Sequence, residues 1–186
     1  MGMSIYVGTV VGGLFLLLLL LIAIVAIGGR VSPLRFVRAM RDLQLLAFST
    51  SSSAAVMPLT MRTAEEKLGV RNSICQFVIP LGATINMNGT GLYQGVATIF
   101  LAQVFAVDLS VSDLALIVVT AVAASIGSPA APGVGIVILS MVLGSAGIPV
   151  AGLGLIIGVD RILDMSRTVV NVSGDVVAAV VLDRRV

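Results

Sequence analysis

Three long stretches without charge constrain this chain more than any other feature. Residues 1–29, 72–107 and 114–159 contain no Asp, Glu, Lys or Arg, and only 11% of the 186 residues are charged. Soluble domains carry about twice that share of charge to cover their surface. Disordered chains have low hydrophobicity, whereas 58% of these residues are hydrophobic. The strands of membrane barrels alternate apolar and polar residues, whereas the apolar runs here are unbroken. The sequence therefore predicts an all-α membrane protein.

Several classes of chemistry are excluded by residue types that are scarce or missing. The sequence has no His and a single cysteine, Cys75. Without histidine, the chain cannot form a Ser-His-Asp triad. With one cysteine and no histidine, it can form neither a His/Cys metal site nor a disulfide framework. We therefore predict that the chain is not an enzyme and has no cofactor and no nucleic-acid partner.

The first 30 residues predict a transmembrane helix. The apolar run from Ile5 to Ile27 is long enough to cross a bilayer core of about 30 Å. A cleaved signal peptide is the alternative interpretation. Basic residues follow the run and also end the chain, and the positive-inside rule places both regions in the cytoplasm. We expect a multi-pass protein of the cell membrane, with an outer N-terminus and a cytoplasmic C-terminus.

The segment 31–61 predicts a first re-entrant hairpin. Basic clusters flank about thirty apolar and small residues. One full span would place the two clusters on opposite sides of the membrane, and two full spans do not fit in this length. A hairpin that enters and leaves on one side places both clusters in the cytoplasm. Its tip is predicted at Ser49–Pro58, where five hydroxyl residues precede Ala54 and a proline follows.

The rest of the chain predicts the same arrangement with opposite orientation. Residues 72–108 form a helix broken near Asn86–Gly91, because Asn and Gly oppose helix formation. Residues 113–149 form a second re-entrant hairpin with its tip at Gly127–Gly135, and 150–183 form the last helix. Asn171–Asp175 resembles Asn86–Thr90, so the sequence predicts an inverted repeat in which each hairpin precedes an interrupted helix. We expect residues 31–186 to form a transport core with two opposed hairpins.

Polar residues of the last helix share one narrow stripe. With about 100° per residue, the stripe collects five side chains on one face: Asp160, Asp164, Arg167, Asn171 and Asp175. Each charge near the bilayer centre costs about 2.5–3.5 kcal/mol, so the stripe must face protein, water or a ligand. Internal ion pairs that hold the bundle together are the alternative interpretation.

The stripe has the chemistry to bind an acidic amino acid together with a cation. The planar guanidinium of Arg167 suits a carboxylate, and Asp164, about one turn away, suits an ammonium group. Asp175, Asn86 and Asn88, with nearby backbone carbonyls, offer hard oxygen ligands for a small cation such as Na⁺.

From residue 31 to 186 the chain resembles the dicarboxylate/amino acid:cation symporter family, which includes the glutamate transporters. Four motifs carry this resemblance in the right order: the serine-rich tip ending at Pro58, the run Pro80–Thr90, the Pro132-Gly133 pair, and the polar positions from Asp160 to Asp175. It implies a secondary active symporter for aspartate or glutamate, coupled to Na⁺ or H⁺, that works by alternating access.

The resemblance also implies roles for individual residues. The substrate would be held by the two tips and the polar helices, at Ser51, Ser52, Ser53, Thr90, Ala131, Gly135, Asp164, Arg167, Thr168 and Asn171. One cation would bind Asp175 with carbonyls of Gly82, Asn86 and Asn171, a second would bind carbonyls of Thr84, Ser125, Ile126 and Ser128, and a third would bind the side chains of Asn86 and Asn88.

This chain departs from the family pattern in three ways. Asn88 replaces a usual aspartate, which weakens a cation site. A second arginine is missing, because Ser51 and Met165 occupy its positions, and Arg161 is our candidate to replace it. The chain has about half the family's length, so a scaffold domain that would form a homotrimer is absent. A C4-dicarboxylate symporter, or a membrane fragment that does not transport, are the alternative functions.

Overall fold

The computed structural model describes residues 2–126 and 129–186, and these residues are almost entirely helical. The helices are α1 (Met3–Gly28), α2 (Pro33–Thr50), α3 (Ser53–Arg62), α4 (Asn72–Ile85), α5 (Asn88–Val104), α6 (Val111–Ser125), α7 (Val134–Ser145) and α8 (Leu153–Asp183). A π-helical turn, Thr63–Lys67, follows α3, and a 3-10 turn, Val150–Gly152, precedes α8. The described residues include no strand, and the all-helical prediction is confirmed.

Helix α1 has the surface of a helix that contacts lipid. It is apolar on all sides, yet only five of its side chains are buried, and Leu16 and Ile27 are 67% and 82% exposed. A helix that is apolar all round needs a protein core or a bilayer to cover it. By length and composition, α1 and the segment Val150–Asp183 are the two described helices that could cross a membrane.

The first basic segments lie at one end of the molecule. Lys67 after α3 forms an ion pair with Asp42 of α2 at 2.8 Å. Arg71, before α4, pairs with Asp183 at the end of α8 at 2.7 Å. A methyl group built on Gly29 would lie 2.7 Å from Val180, so the end of α1 reaches the same place. We call this the basic end.

The helices end where the sequence offers a cap or a break. Ser52 accepts a hydrogen bond from the Ala55 amide at the start of α3, and Ser110 with Asp113 forms a capping box on α6. Ser51 adopts a left-handed conformation with φ +52° between α2 and α3. We call Ser51 and Ser52 the first tip, and residues 129–133, before α7, the second tip.

The last helix differs from the prediction of a second interrupted helix. The break near Asn86 is present, because Asn86 and Met87 separate α4 from α5. Helix α8, in contrast, is continuous through Asn171–Asp175, so this part of the repeat prediction is wrong. The six residues 86–91 contain two Asn and two Gly, whereas 171–175 contain one of each and pack among buried valines.

Helix α8 is the centre of the fold. It contacts α1, α2, α4 and α5, and it is almost continuously buried from Leu163 to Val180. The predicted polar stripe therefore faces protein: Asp160, Asp164, Arg167, Asn171 and Asp175 are all buried. Arg161 is exposed, so the structure does not support our hypothesis that it replaces the missing second arginine.

Candidate functional site

A small polar cavity lies where the two tips meet α5 and α8. Its volume is about 30 Å³, which holds roughly two water molecules. Eight of the ten predicted substrate residues line it: Ser51, Ser53, Thr90, Ala131, Gly135, Asp164, Thr168 and Asn171. Five residues that we did not predict complete the lining: Met87, Pro129, Ala130, Val134 and Ile138.

The first tip offers the cavity a hydroxyl group without a partner. Ser51 is buried, and its Oγ has no hydrogen-bond partner among the described residues. Buried polar atoms are almost always paired, and a left-handed backbone at a serine is uncommon. An unpaired hydroxyl on a strained turn is typical of a ligand-binding position.

Ser52 does not line the cavity, and instead joins the two tips. Its Oγ donates a hydrogen bond of 2.7 Å to the carbonyl of Ala130 and accepts one from the Ala55 amide. The Ser52 side chain thus forms a polar link between the two tips, across 78 residues of sequence. It holds the cavity closed in this structure.

The guanidinium of Arg167 packs against Gly135, which lines the cavity, so Arg167 lies at the edge of the cavity. Its side chain is 1% exposed, and Nη2 lies 2.8 Å from Asp164 Oδ1 and 3.4 Å from Asp160 Oδ1. The guanidinium stacks on the ring of Tyr93 with 3.8 Å to the ring centroid. Nε and Nη1 have no hydrogen-bond partner among the described residues. These N–H groups are free to bind a carboxylate.

Asp164 is the acidic group of the cavity, and both its oxygens are engaged. Oδ1 accepts from Arg167, and Oδ2 accepts a 3.0 Å hydrogen bond from the Gly133 amide in the second tip. Gly133 has φ +79°, a conformation that favours glycine. Thr168, beside Asp164, donates to its backbone carbonyl at 2.9 Å. The Asp164 carboxylate therefore links α8 to the second tip.

Asn171 connects the cavity to the break between α4 and α5. Its Oδ1 accepts the Gly89 amide at 2.8 Å, and its Nδ2 donates to Thr90 Oγ1 at 3.2 Å. The same Nδ2 lies 3.4 Å from the Met87 sulfur. Thr90 and Asn171 thus present adjacent polar groups to the cavity.

One predicted set of cation ligands is assembled around Asp175. This carboxylate is buried, and among the described residues its only hydrogen bond is a 2.8 Å contact from Asn86 Nδ2. Asn86 Nδ2 also lies 3.4 Å from the Asn171 carbonyl, and Asn88 donates to Asn86 Oδ1 at 2.6 Å. A methyl group on Gly82 would touch Asp175 at 2.5 Å. A buried carboxylate without a cationic partner favours binding of a cation.

The second predicted cation set stays a prediction, because one of its four residues, Ser128, lies outside the described residues. Ser125 and Ile126 line a groove together with Asn88. The Thr84 hydroxyl donates to the Leu81 carbonyl at 2.8 Å, and the predicted ligand is the Thr84 backbone carbonyl.

Two buried residues near Arg167 were missed by the sequence reasoning. Tyr93 stacks on the guanidinium, and Gln94 Nε2 donates to the Gly135 carbonyl at 2.9 Å. Both follow Thr90 by three and four residues, so they occupy the same face of α5. The spacing from Thr90 was the signal in the sequence that could have identified Tyr93 and Gln94. It indicates a site only when Arg167 is known to lie against this face of α5.

Replacing Ser52 with alanine should destabilise the closed tips. The variant loses the cap of α3, worth about 1 kcal/mol, and the bond to the Ala130 carbonyl, worth about 1 kcal/mol. We expect a lower thermal unfolding midpoint in detergent and partial rescue by Ser52→Thr. Ser49→Ala is the matched control, because its hydroxyl bonds only carbonyls of its own helix. Equal shifts in Ser52→Ala and Ser49→Ala would contradict the linking role.

The fold and this site define an all-helical membrane protein with a buried, charged binding cavity. The model of the Sodium:dicarboxylate symporter family matches residues 1–185. The chain therefore belongs to the sodium:dicarboxylate symporter family, and the resemblance seen in the sequence is confirmed. The members of this family are transporters, which also confirms the prediction that the chain is not an enzyme.

Several named relatives are similar over nearly the whole chain. The proton/sodium-glutamate symport protein of Bacillus subtilis (strain 168) is 44% identical over 178 residues, which cover 96% of this chain and 41% of the relative. Excitatory amino acid transporter 3 of Mus musculus is 44% identical over 174 residues, covering 93% and 33%. The putative sodium-dependent excitatory amino acid transporter glt-4 of Caenorhabditis elegans is 44% identical over 183 residues, covering 96% and 36%. The chain thus spans between one third and two fifths of these relatives.

Proposed function

We propose that this chain is the substrate-binding part of a secondary active symporter for an acidic amino acid, coupled to Na⁺ or H⁺. The observation that carries the proposal is Arg167, a buried guanidinium with unpaired Nε and Nη1 at the edge of a polar cavity. Leaving such donors unpaired is unfavourable, and a substrate carboxylate satisfies them. The names of the relatives, which include glutamate and excitatory amino acids, support this substrate class.

The charge of the site explains why a cation must accompany the substrate. In the described part of the chain the buried charged side chains are Asp160, Asp164, Asp175 and Arg167. With all four ionised, their net charge is −2, and an acidic amino acid adds a further negative charge. Binding an anion into a site that is already negative is unfavourable at low dielectric. Cations that bind near Asp175 reduce this repulsion, so substrate and cation favour each other.

Asn171 provides a direct connection between the two sites. Its side chain faces Thr90 and the Gly89 amide, while its backbone carbonyl lies beside Asn86 in the group around Asp175. A cation that draws in the Asn171 carbonyl also fixes this part of α8 and the break before α5. Coupling of this kind is reciprocal: the substrate must raise the affinity for the cation by the same factor.

Substrate entry requires the two tips to separate. A cavity of about 30 Å³ is too small for an amino acid. Opening needs the Ser52–Ala130 hydrogen bond to break, together with the contact of the Gly133 amide with Asp164. We propose that both hairpins are re-entrant and form an inverted repeat, and that their tips act as gates in alternating access. The proposed assembly is a homotrimer, built by a scaffold outside this chain, in the cell membrane with an outer N-terminus.

A C4-dicarboxylate is the second candidate substrate, because the family description names dicarboxylates. Asp164 argues against it, since its carboxylate would face a substrate without an ammonium group. The third candidate, a membrane fragment that does not transport, is consistent with the limited share of the relatives that the chain spans.

Uptake of labelled L-aspartate into proteoliposomes tests the proposal. We expect accumulation that depends on an inward sodium or proton gradient, and weak competition by succinate. Strong competition by succinate favours the dicarboxylate candidate. Aspartate binding that depends on sodium or proton concentration, without uptake, identifies a fragment that needs its scaffold. Absence of both binding and uptake would contradict the proposed function.

A further inference from the structure

A second groove, separate from the substrate cavity, lies between α2 and α8 on the outside of the bundle. Its volume is about 400 Å³, and seven residues line it: Val37, Arg38, Arg41, Gln44, Leu45, Phe48 and Val169. Six of them belong to α2, whose first residues lie at the basic end and whose last residue precedes the first tip. The groove therefore runs along the helix from the basic end towards the cavity.

The two arginines of the groove are available to an external anion. Arg38 and Arg41 are exposed and lie three residues apart, so they project from the same face of α2. Neither forms an ion pair with a described acidic residue, whereas Lys67, Arg62, Arg71 and Arg167 each do. Two unpaired guanidinium groups one turn apart match the geometry of a phosphate.

The remaining part of the groove is mostly apolar and open, and its polar residue, Gln44, donates a hydrogen bond to Ser173 Oγ at 3.1 Å. Leu45 is 62% exposed and Phe48 is 40% exposed, and Val169 of α8 forms the opposite wall. Ten residues of helix separate Arg38 from Phe48, which corresponds to about 15 Å. This length is roughly half of a bilayer core of about 30 Å. The groove thus has a basic head and a mostly apolar body, and its length is comparable to the hydrocarbon thickness of one leaflet.

We propose that this groove binds an anionic phospholipid, with its phosphate on Arg38 and Arg41 and an acyl chain along Leu45, Phe48 and Val169. Charge complementarity supports this occupant, because unpaired arginines above an apolar surface favour an amphiphile with a negative head. Basic pockets between membrane helices recognise anionic headgroups in this way. The site does not depend on which side of the membrane the basic end faces, nor on what the substrate cavity binds.

Lipid titration of the purified 186-residue chain in detergent tests this site. Native mass spectrometry can compare binding of palmitoyl-oleoyl phosphatidylglycerol with that of the matching phosphatidylcholine. We expect preferential binding of phosphatidylglycerol, which falls about fivefold for Arg38→Gln or Arg41→Gln and about 25-fold for the double variant. The matched control is Arg184→Gln/Arg185→Gln, which removes two exposed basic residues outside the groove.

Two further measurements distinguish lipid binding in the groove from general electrostatic attraction. Leu45→Asn should weaken phosphatidylglycerol binding, whereas Leu16→Asn on the exposed face of α1 should not. Free sn-glycerol 3-phosphate should not compete, because it lacks an acyl chain. Equal losses in both arginine pairs, or full competition by glycerol phosphate, would overturn the proposal. Unchanged binding in Arg38→Gln/Arg41→Gln would also overturn it and would indicate a face covered by protein.

Discussion

Replacing Gly135 with alanine should lower the affinity for aspartate by roughly 100-fold, the equivalent of losing one to two charge-assisted hydrogen bonds. The added methyl group would lie 2.6 Å from Arg167 Nη2, 2.7 Å from Nη1 and 2.9 Å from Cζ. The guanidinium cannot retreat easily, because the Tyr93 ring lies against it at 3.8 Å. The guanidinium must therefore shift from its position beside Gly135, which lines the cavity. Calorimetric titration with L-aspartate in sodium chloride measures the loss.

Gly144→Ala provides the matched control for this substitution. Gly144 lies in the same helix, α7, and a methyl group there would have no heavy atom within 4 Å. It should bind aspartate as the parent does. Combining Gly135→Ala with Arg167→Gln should add little to the effect of Arg167→Gln alone, because both changes act on the same group. Parent-like aspartate affinity in Gly135→Ala would contradict the role assigned to Arg167.

Replacing Gly82 with alanine should weaken sodium binding, so that aspartate binding requires a much higher sodium concentration. The methyl group would lie 2.5 Å from Asp175 Oδ1 and 3.0 Å from Cγ, so the carboxylate must turn away from Asn86. Displacing a ligand or its support typically weakens a metal site about 10- to 100-fold. Titrating sodium chloride at a fixed aspartate concentration measures this shift, and the half-saturating sodium concentration should rise by that factor.

Gly95→Ala is the control for the cation prediction. Gly95 lies in α5, beyond the break, and a methyl group there meets nothing within 4 Å. Its sodium dependence should match the parent. A Gly82→Ala protein that folds, binds aspartate and keeps the parent's sodium requirement would show that the cation binds elsewhere.

The sequence predicted the polar stripe of α8 because helical periodicity depends only on residue spacing. Placing Asp160, Asp164, Arg167, Asn171 and Asp175 on one face needed no knowledge of neighbouring helices, and all five are buried. The break at Asn86 was likewise local, since Asn and Gly disfavour helix whatever packs around them.

Tertiary packing decided what the sequence could not predict. The resemblance of Asn171–Asp175 to Asn86–Thr90 suggested a second break, but α8 remains helical where its valines are buried. Tyr93 and Gln94 acquired roles only because α7 and α8 place Gly135 and Arg167 opposite them. Contacts between helices that are distant in sequence produce no local sequence pattern, so they cannot be predicted from residue spacing.

The dependence of aspartate affinity on sodium tests the central claim most directly. Calorimetric titration of the purified chain with L-aspartate should give a much lower Kd in sodium chloride than in choline chloride at equal ionic strength. Aspartate should in turn raise the affinity for sodium by the same factor. If protons are the coupling ion, the same dependence should appear when pH replaces sodium as the variable. Identical aspartate affinities in sodium and choline at every pH, or no binding at all, would contradict coupled binding at this site.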